Sequence, residues 1–96
     1  MTNEQTLEVL RVLAAPRRVE IMQKIRALQS GGEVTCNSVL QQMDIAQSTF
    51  AHHIKELIDS GLVHGQPDGR CLNLKVNDAI FDEFNLSLKG LLAQID

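Results

Sequence analysis

The sequence has no tryptophan, no tyrosine and only three phenylalanines. A sheet that stacks unpaired bases needs exposed aromatic faces, so this composition argues against a single-stranded nucleic-acid platform. Cysteine is equally scarce. Cys36 and Cys71 lie far apart in sequence and give no disulfide framework. No apolar run approaches the ~18 residues that a membrane-crossing helix requires. The first residues, Met-Thr-Asn-Glu-Gln-Thr, lack the basic and apolar blocks of a signal peptide, and a cytoplasmic protein is expected. Positive charge is in short supply too: 9 Lys and Arg against 12 Asp and Glu give a net charge of −3. Non-specific attraction to phosphate should therefore be weak, and any duplex binding strongly salt-sensitive.

What the chain does have is apolar patterning. Hydrophobic residues make up 44%, ordinary for a globular protein and too many for disorder. Residues 1–96 read as one domain. A domain this small buries only roughly 60–70% of its unfolded surface. Any apolar face beyond what its core needs is then a candidate for dimerisation.

The stretch from Asp44 to Ile58, D-I-A-Q-S-T-F-A-H-H-I-K-E-L-I, organises the rest. Successive helical residues turn by about 100°. That rotation gathers Phe50, Ile54, Leu57 and Ile58 on one side, and Ser48, Ala51, His52 and Lys55 on the other. His53 falls beside the apolar stripe, where packing or an intramolecular hydrogen bond is expected of it. A shorter helix, Asn37 to Met43, precedes, with Val39, Leu40 and Met43 apolar. Two helices joined by about three residues, the second with a polar face, predict a helix-turn-helix over about 37–60. Its second helix fits the DNA major groove. Asp44 is expected at the turn, because Asp tolerates unusual backbone angles. Gly61 is expected to cap the helix end.

The flanking segments complete a fold. Thr2 and Gln5 match a capping box that opens a first helix over about 3–15, carrying Leu7, Val9, Leu10, Val12 and Leu13. Pro16 ends that helix and suits the first position of a second, about Pro16–Gln29. There Val19, Ile21, Met22, Ile25 and Leu28 read as the apolar side, and Arg17, Arg18, Lys24 and Arg26 as the polar side. Ser30-Gly31-Gly32 stops it, and Glu33-Val34-Thr35 fits a small strand. Beyond Gly61, Pro67-Asp68-Gly69 reads as a hairpin turn between Leu62–Gln66 and Arg70–Val76. Leu72, Leu74 and Val76 alternate with polar residues, the pattern of a strand buried on one face. This hairpin, over about 62–76, would be the wing of a winged helix. Asn77 can cap a last helix over about 78–95, lined by Ile80, Phe81, Phe84, Leu88, Leu91, Leu92 and Ile95. The first and last helices together carry more apolar surface than one small core uses. The surplus, at Leu7, Leu10, Ile80, Phe84, Leu88, Leu91, Leu92 and Ile95, is expected to join two copies. The predicted fold is mainly α with a small β-hairpin wing: a winged helix-turn-helix of order ααβααββα, dimerising through its first and last helices.

Catalysis finds no support. His52-His53 with Lys55-Glu56 offers acid–base groups, but adjacent helical histidines point about 100° apart and cannot converge on one atom. The His-Glu-x-x-His spacing of a zinc protease, a nucleophile–base pair and a glycine-rich phosphate loop are all missing. An enzyme is not expected, and no cofactor is implied.

The residues resemble the ArsR/SmtB family of bacterial winged-helix repressors along nearly the whole chain. Leu10-Arg11-Val12-Leu13-Ala14-Ala15-Pro16-Arg17-Arg18-Val19-Glu20-Ile21-Met22 is similar to the family's "L-x-x-L-A-[DN]-P-x-R-L-x-I-L". Gln47-Ser48-Thr49-Phe50-Ala51-His52-His53-Ile54-Lys55-Glu56-Leu57, followed by Ser60-Gly61-Leu62-Val63, resembles "Q-[SP]-T-[VF]-S-x-H-L-x-x-L…A-G-L-V". Asp68-Gly69-Arg70 matches the wing turn. The resemblance implies a homodimer on a roughly palindromic operator in double-stranded DNA, with repression relieved by an effector. By motif position, Gln47, Ser48, Thr49, His52 and Lys55 would meet bases and phosphates, and Arg70 the neighbouring backbone or minor groove. Two departures matter. Ala46 stands where the family often has a capping Ser, a loss that typically costs about 1 kcal/mol. The metal sites are also incomplete: Cys36 stands alone where the family pairs cysteines, and Asp78 and Asp82 have no His after His64. No metal site and no particular effector are implied.

Other readings stand beside these. Cys36 and Cys71 read first as small core residues; a dithiol switch is a lesser alternative, and a metal held by Cys36, His64 and Cys71 a weaker one. The acidic balance also suits a winged helix used for protein contacts without operator binding.

Overall fold

The computed structural model describes residues 1–94, and among these it shows five helices and one three-stranded sheet. In chain order they are α1 (Asn3–Leu13), α2 (Pro16–Gln29), β1 (Val34–Thr35), α3 (Cys36–Leu40), α4 (Gln47–Asp59), β2 (Val63–Asp68), β3 (Cys71–Val76) and α5 (Asp78–Leu92). This is the mainly helical winged helix-turn-helix that the sequence predicts. Ile95, expected on the last helix, lies outside the described residues.

Each boundary has a local cause. The Thr2 hydroxyl accepts from the Gln5 amide at 3.1 Å while the Gln5 side chain accepts from the Thr2 amide at 2.8 Å, a complete capping box. Pro16 occupies the first turn of α2, where a missing N–H costs nothing. Thr35 and Asn77 cap α3 and α5 through their side chains. At the end of α4, Gly61 donates to the Ile58 carbonyl at 3.0 Å and Leu62 to the Leu57 carbonyl at 3.1 Å. This double closure needs a left-handed residue, and Gly61 supplies it with φ of 83°.

The sheet is antiparallel throughout, in the order β1-β3-β2. Val34 pairs with Leu74, and Val63 with Val76. The alternation expected of β3 holds: Leu74 and Val76 are buried and Leu72 is partly so. One core joins all the elements. Val9 and Val12 of α1, Ile21 and Ile25 of α2, Val39 of α3, and Phe50, Ile54 and Leu57 of α4 meet Leu62, Val63 and Leu74 beneath the sheet.

Five expectations need correction. The hairpin turns at Gly69-Arg70, because Asp68 already pairs with Cys71. A two-residue loop needs a positive φ at its first position to follow the strand twist, and Gly69 provides 63°. Helix α3 starts at Cys36 and stops at Leu40, earlier than Asn37–Met43; Gln42 and Met43 follow only as tighter i→i+3 turns. Asp44 does not use a left-handed angle, since every positive φ among the described residues belongs to glycine. Arg18 and Val19 exchange places: Arg18 is 8% exposed and Val19 38%. Positions 18, 21, 22 and 25 follow the i, i+3, i+4, i+7 spacing, so helical geometry puts the arginine on the core face despite its charge. Finally, Phe84, expected to meet a second copy, is buried in its own chain at 5% exposure.

Replacing Gly61 by Ala should lower stability by about 1–3 kcal/mol, the cost of a left-handed residue with a Cβ. Ala46→Ser should raise it by about 1 kcal/mol, because the Ala46 backbone is already extended for capping and its side chain makes no cap bond. Urea unfolding followed by circular dichroism measures both.

Candidate nucleic-acid interface

Helix α4 is seated by Phe50, Ile54 and Leu57, all buried. Their burial fixes the opposite face outward. Gln47, Ser48, Thr49, Ala51, His52 and Lys55 are all exposed. Ser48, His52 and Lys55 follow the i, i+4, i+7 spacing along that outer face. The first turn of α4 leaves amide groups without helical partners, a natural anion site.

Arg70 sits exposed at the wing turn. Between α4 and the wing runs a groove of about 490 Å³ lined by Gln47, Lys55 and Arg70, with Leu40, Phe50 and Leu72 as its apolar wall. The structure thus brings three of the six predicted contact residues to one groove. Ser48, Thr49 and His52 stand on the exposed surface of the same helix, outside the groove lining.

The electrostatics are mixed. Lys55 Nζ lies 2.7 Å from Asp59 Oδ2, one turn along α4, and this bond raises the lysine pKa. Asp59 also lines the groove. Operator binding calls for acids turned away from the cations, and Asp59 is not. The other acid of α4 is turned away: Glu56 accepts from Arg11 of α1 at 2.8 Å, a hydrogen bond that lowers its pKa. Arg11 also holds Glu8 through two bonds, at 3.0 and 2.6 Å, and Glu8 is likewise lowered.

His53, the residue beside the apolar stripe, accepts at Nδ1 from Arg18 Nε at 3.0 Å. Burial and then the nearby Arg18 charge push its pKa below the ordinary histidine value. The two histidine rings are tilted by 48° with centroids 5.9 Å apart, His52 exposed and His53 half-buried. Sequence reasoning gave Arg18 no role here. The signal that finds it is its spacing with Ile21, Met22 and Ile25.

Cys36 and Cys71 are free thiols on the wall of the α4–wing groove. Burial raises the Cys36 pKa, which disfavours the thiolate. His64 lines a separate hollow with Glu33 and Lys75. No group of three His, Cys, Asp or Glu side chains able to hold a metal ion occurs among the described residues. No helix among them is long and apolar enough to cross a membrane.

A helix with an exposed polar face, followed at once by a hairpin whose tip carries an arginine, defines a winged helix-turn-helix domain. A family model described as a helix-turn-helix domain matches residues 2–66. The arsenical resistance operon repressor of Staphylococcus xylosus is 31% identical over 88 residues, covering 92% of this chain and 81% of that protein. An ArsR-like transcriptional regulator from Rhodococcus sp. RHA1 superposes with a TM-score of 0.77 at 20% identity, over 94% of this chain and 81% of that one. The homodimeric winged helix-turn-helix DNA-binding domain of a possible ArsR-family regulator from Mycobacterium bovis gives 0.67 at 19% identity, over 97% and 83%. The chain belongs to the ArsR family of helix-turn-helix transcriptional regulators.

The Lys55–Asp59 pair makes a direct prediction. Asp59→Asn frees the ammonium and removes a negative charge from the groove, so duplex affinity should rise at low salt. The gain should shrink as salt is added. Fluorescence anisotropy across a salt series measures this.

Proposed function

We propose that the chain is a cytoplasmic homodimeric repressor that binds a palindromic operator, without the family's metal-sensing ligands and without enzymatic activity. The observation that carries this reading is the outward polar face of α4 meeting the wing at the groove of Gln47, Lys55 and Arg70. In this reading Ser48, Thr49 and His52 read or position bases, Gln47 and Lys55 meet bases and phosphates, and Arg70 clamps the neighbouring backbone.

Dimerisation has its own support. Leu7 is 54% exposed, Leu10 36% and Leu92 76%, on two helices that pack against each other. Ile80 and Leu88 are partly buried, as is Leu91, and Leu86, which sequence reasoning passed over, is 74% exposed. The radius of gyration is 14.3 Å, above the ~12–13 Å of a compact globule of this length. An elongated protomer with bare leucines on its terminal helices is suited to pairing through them. Two copies would present their α4 helices to successive major grooves about 34 Å apart, hence a two-fold operator. Occupying it would occlude a promoter.

A second reading keeps the fold and drops the operator. The net acidity and the Lys55–Asp59 pair favour a winged helix that contacts protein.

Selection of bound sequences from a random duplex library at low salt separates the two. An enriched palindrome supports the repressor; no enrichment by folded dimer favours protein contact. Lys55→Ala should weaken all duplexes about equally and reduce the salt slope by about one, whereas His52→Ala should change base preference. Leu92→Glu should shift the chain toward monomer in analytical ultracentrifugation and weaken operator binding with it.

A further inference from the structure

Three arginines from the neighbouring helices hold α4 and the turn before it. Arg11 of α1 binds Glu56, and Arg17 of α2 donates to the Asp44 carbonyl at 3.3 Å in the turn before α4. Arg18 is the unusual one. It is buried, and among the described residues it forms no ion pair. Glu8 and Glu56 lie near enough to feel its charge, but a buried cation without a contacting carboxylate persists only where its donors find good acceptors. Nε finds His53 Nδ1 at 3.0 Å, and Nη1 finds the Val12 carbonyl at 3.3 Å.

This pairing fixes a chemical state. A guanidinium has five donors and no acceptor, so Nδ1 must be the acceptor and carries no proton. His53 is then the neutral imidazole with its hydrogen on Nε2. We propose that Arg18 and His53 are positioning residues: the buried guanidinium holds the neutral imidazole, and so sets the seat of α4 and the direction of Ser48, His52 and Lys55. The inference rests on the DNA-binding reading above.

Protonation breaks the arrangement. A proton on Nδ1 removes the acceptor and brings two cations into contact. Around His53 stand Arg17 and Arg18 from α2, with His52 and Glu56 from α4. Only Glu56 favours the charge, and Arg11 already holds it. With the folded pKa below the unfolded one, the folded chain binds fewer protons at this site. The seat is therefore complete above about pH 6.5 and is lost as pH falls toward the folded pKa. A proton gained at the protein surface adds attraction to phosphate, so a fall in affinity on acidification is the signature expected of His53.

The test uses the full chain. Nitrogen–proton spectra of its histidines report the His53 tautomer and titration, and amide shifts of Ser48–Lys55 report the seat of α4. Anisotropy with the labelled duplex enriched by selection reports affinity from about pH 8 to about pH 5. The expected results are an Nε2–H tautomer, α4 amide shifts that share the His53 midpoint, and affinity falling below it by about tenfold per pH unit for each His53 the bound dimer needs neutral. His53→Asn, whose Oδ1 can accept from Arg18 without titrating, should keep the affinity seen at high pH and lose the fall. An Nδ1–H tautomer overturns the proposal. So does affinity that stays level or rises while His53 titrates, or an Asn variant with the wild-type profile. The wild-type titration stands even if the variant does not fold. Failure of the folded dimer to bind duplex at neutral pH overturns the operator reading instead. The α4 amides then decide, and shifts confined to His53 itself sink the positioning role.

Discussion

Everything the outer face of α4 can do depends on the burial of its inner face. Phe50, Ile54 and Leu57 are almost fully removed from solvent, and burial of such side chains contributes about 1.5–3 kcal/mol each. Because successive helical residues keep fixed angular offsets, seating these three turns Ser48, His52 and Lys55 toward solvent. The Gly61 closure ends the helix at the residue from which the chain must turn into β2. The wing follows without a linker, so its tip at Gly69-Arg70 is placed relative to the same helix.

Apolar packing sets depth well and rotation less well, since it has little directionality. Polar contacts supply direction. Arg11, Arg17 and Arg18 reach α4 or the turn before it from two other helices, each through a bond of defined geometry. The arginines of α1 and α2 therefore do not form a basic patch, although the sequence places them close together. That distribution, with Arg11, Arg17, Arg26 and Lys55 each on a carboxylate and Arg18 buried, leaves the α4–wing groove with Arg70 and the first turn of α4 as its unpaired positive ends among the described residues. It also ties α1, which carries exposed leucines, to the helix that would read DNA.

The legible parts of the fold share a physical property: each is decided within a few residues. The Thr2–Gln5 capping box, Pro16 at the start of α2, Asn77 before α5 and the Gly61 closure are local, and their residue types allow few alternatives. The α4 stripe was legible for the same reason. The hairpin is equally legible, but its turn lies two residues beyond the Pro67-Asp68 signal, because edge-strand pairing overrides the turn propensity of those residues. Of the site, the outward faces of Ser48, His52 and Lys55 followed from periodicity. The Lys55–Asp59 pair was equally local, and its i, i+4 spacing could have revealed it.

The sequence by itself determined the elements, their caps, the two faces of α4 and the surplus of apolar residues on the terminal helices, because these depend on neighbours within one or two turns. Only the tertiary structure decided that Arg18 turns inward to His53, that Phe84 belongs to its own core, and that Arg70 shares a groove with Gln47 and Lys55. Each of those joins residues far apart in the chain, where the outcome depends on how several helices pack together and no local rule reaches.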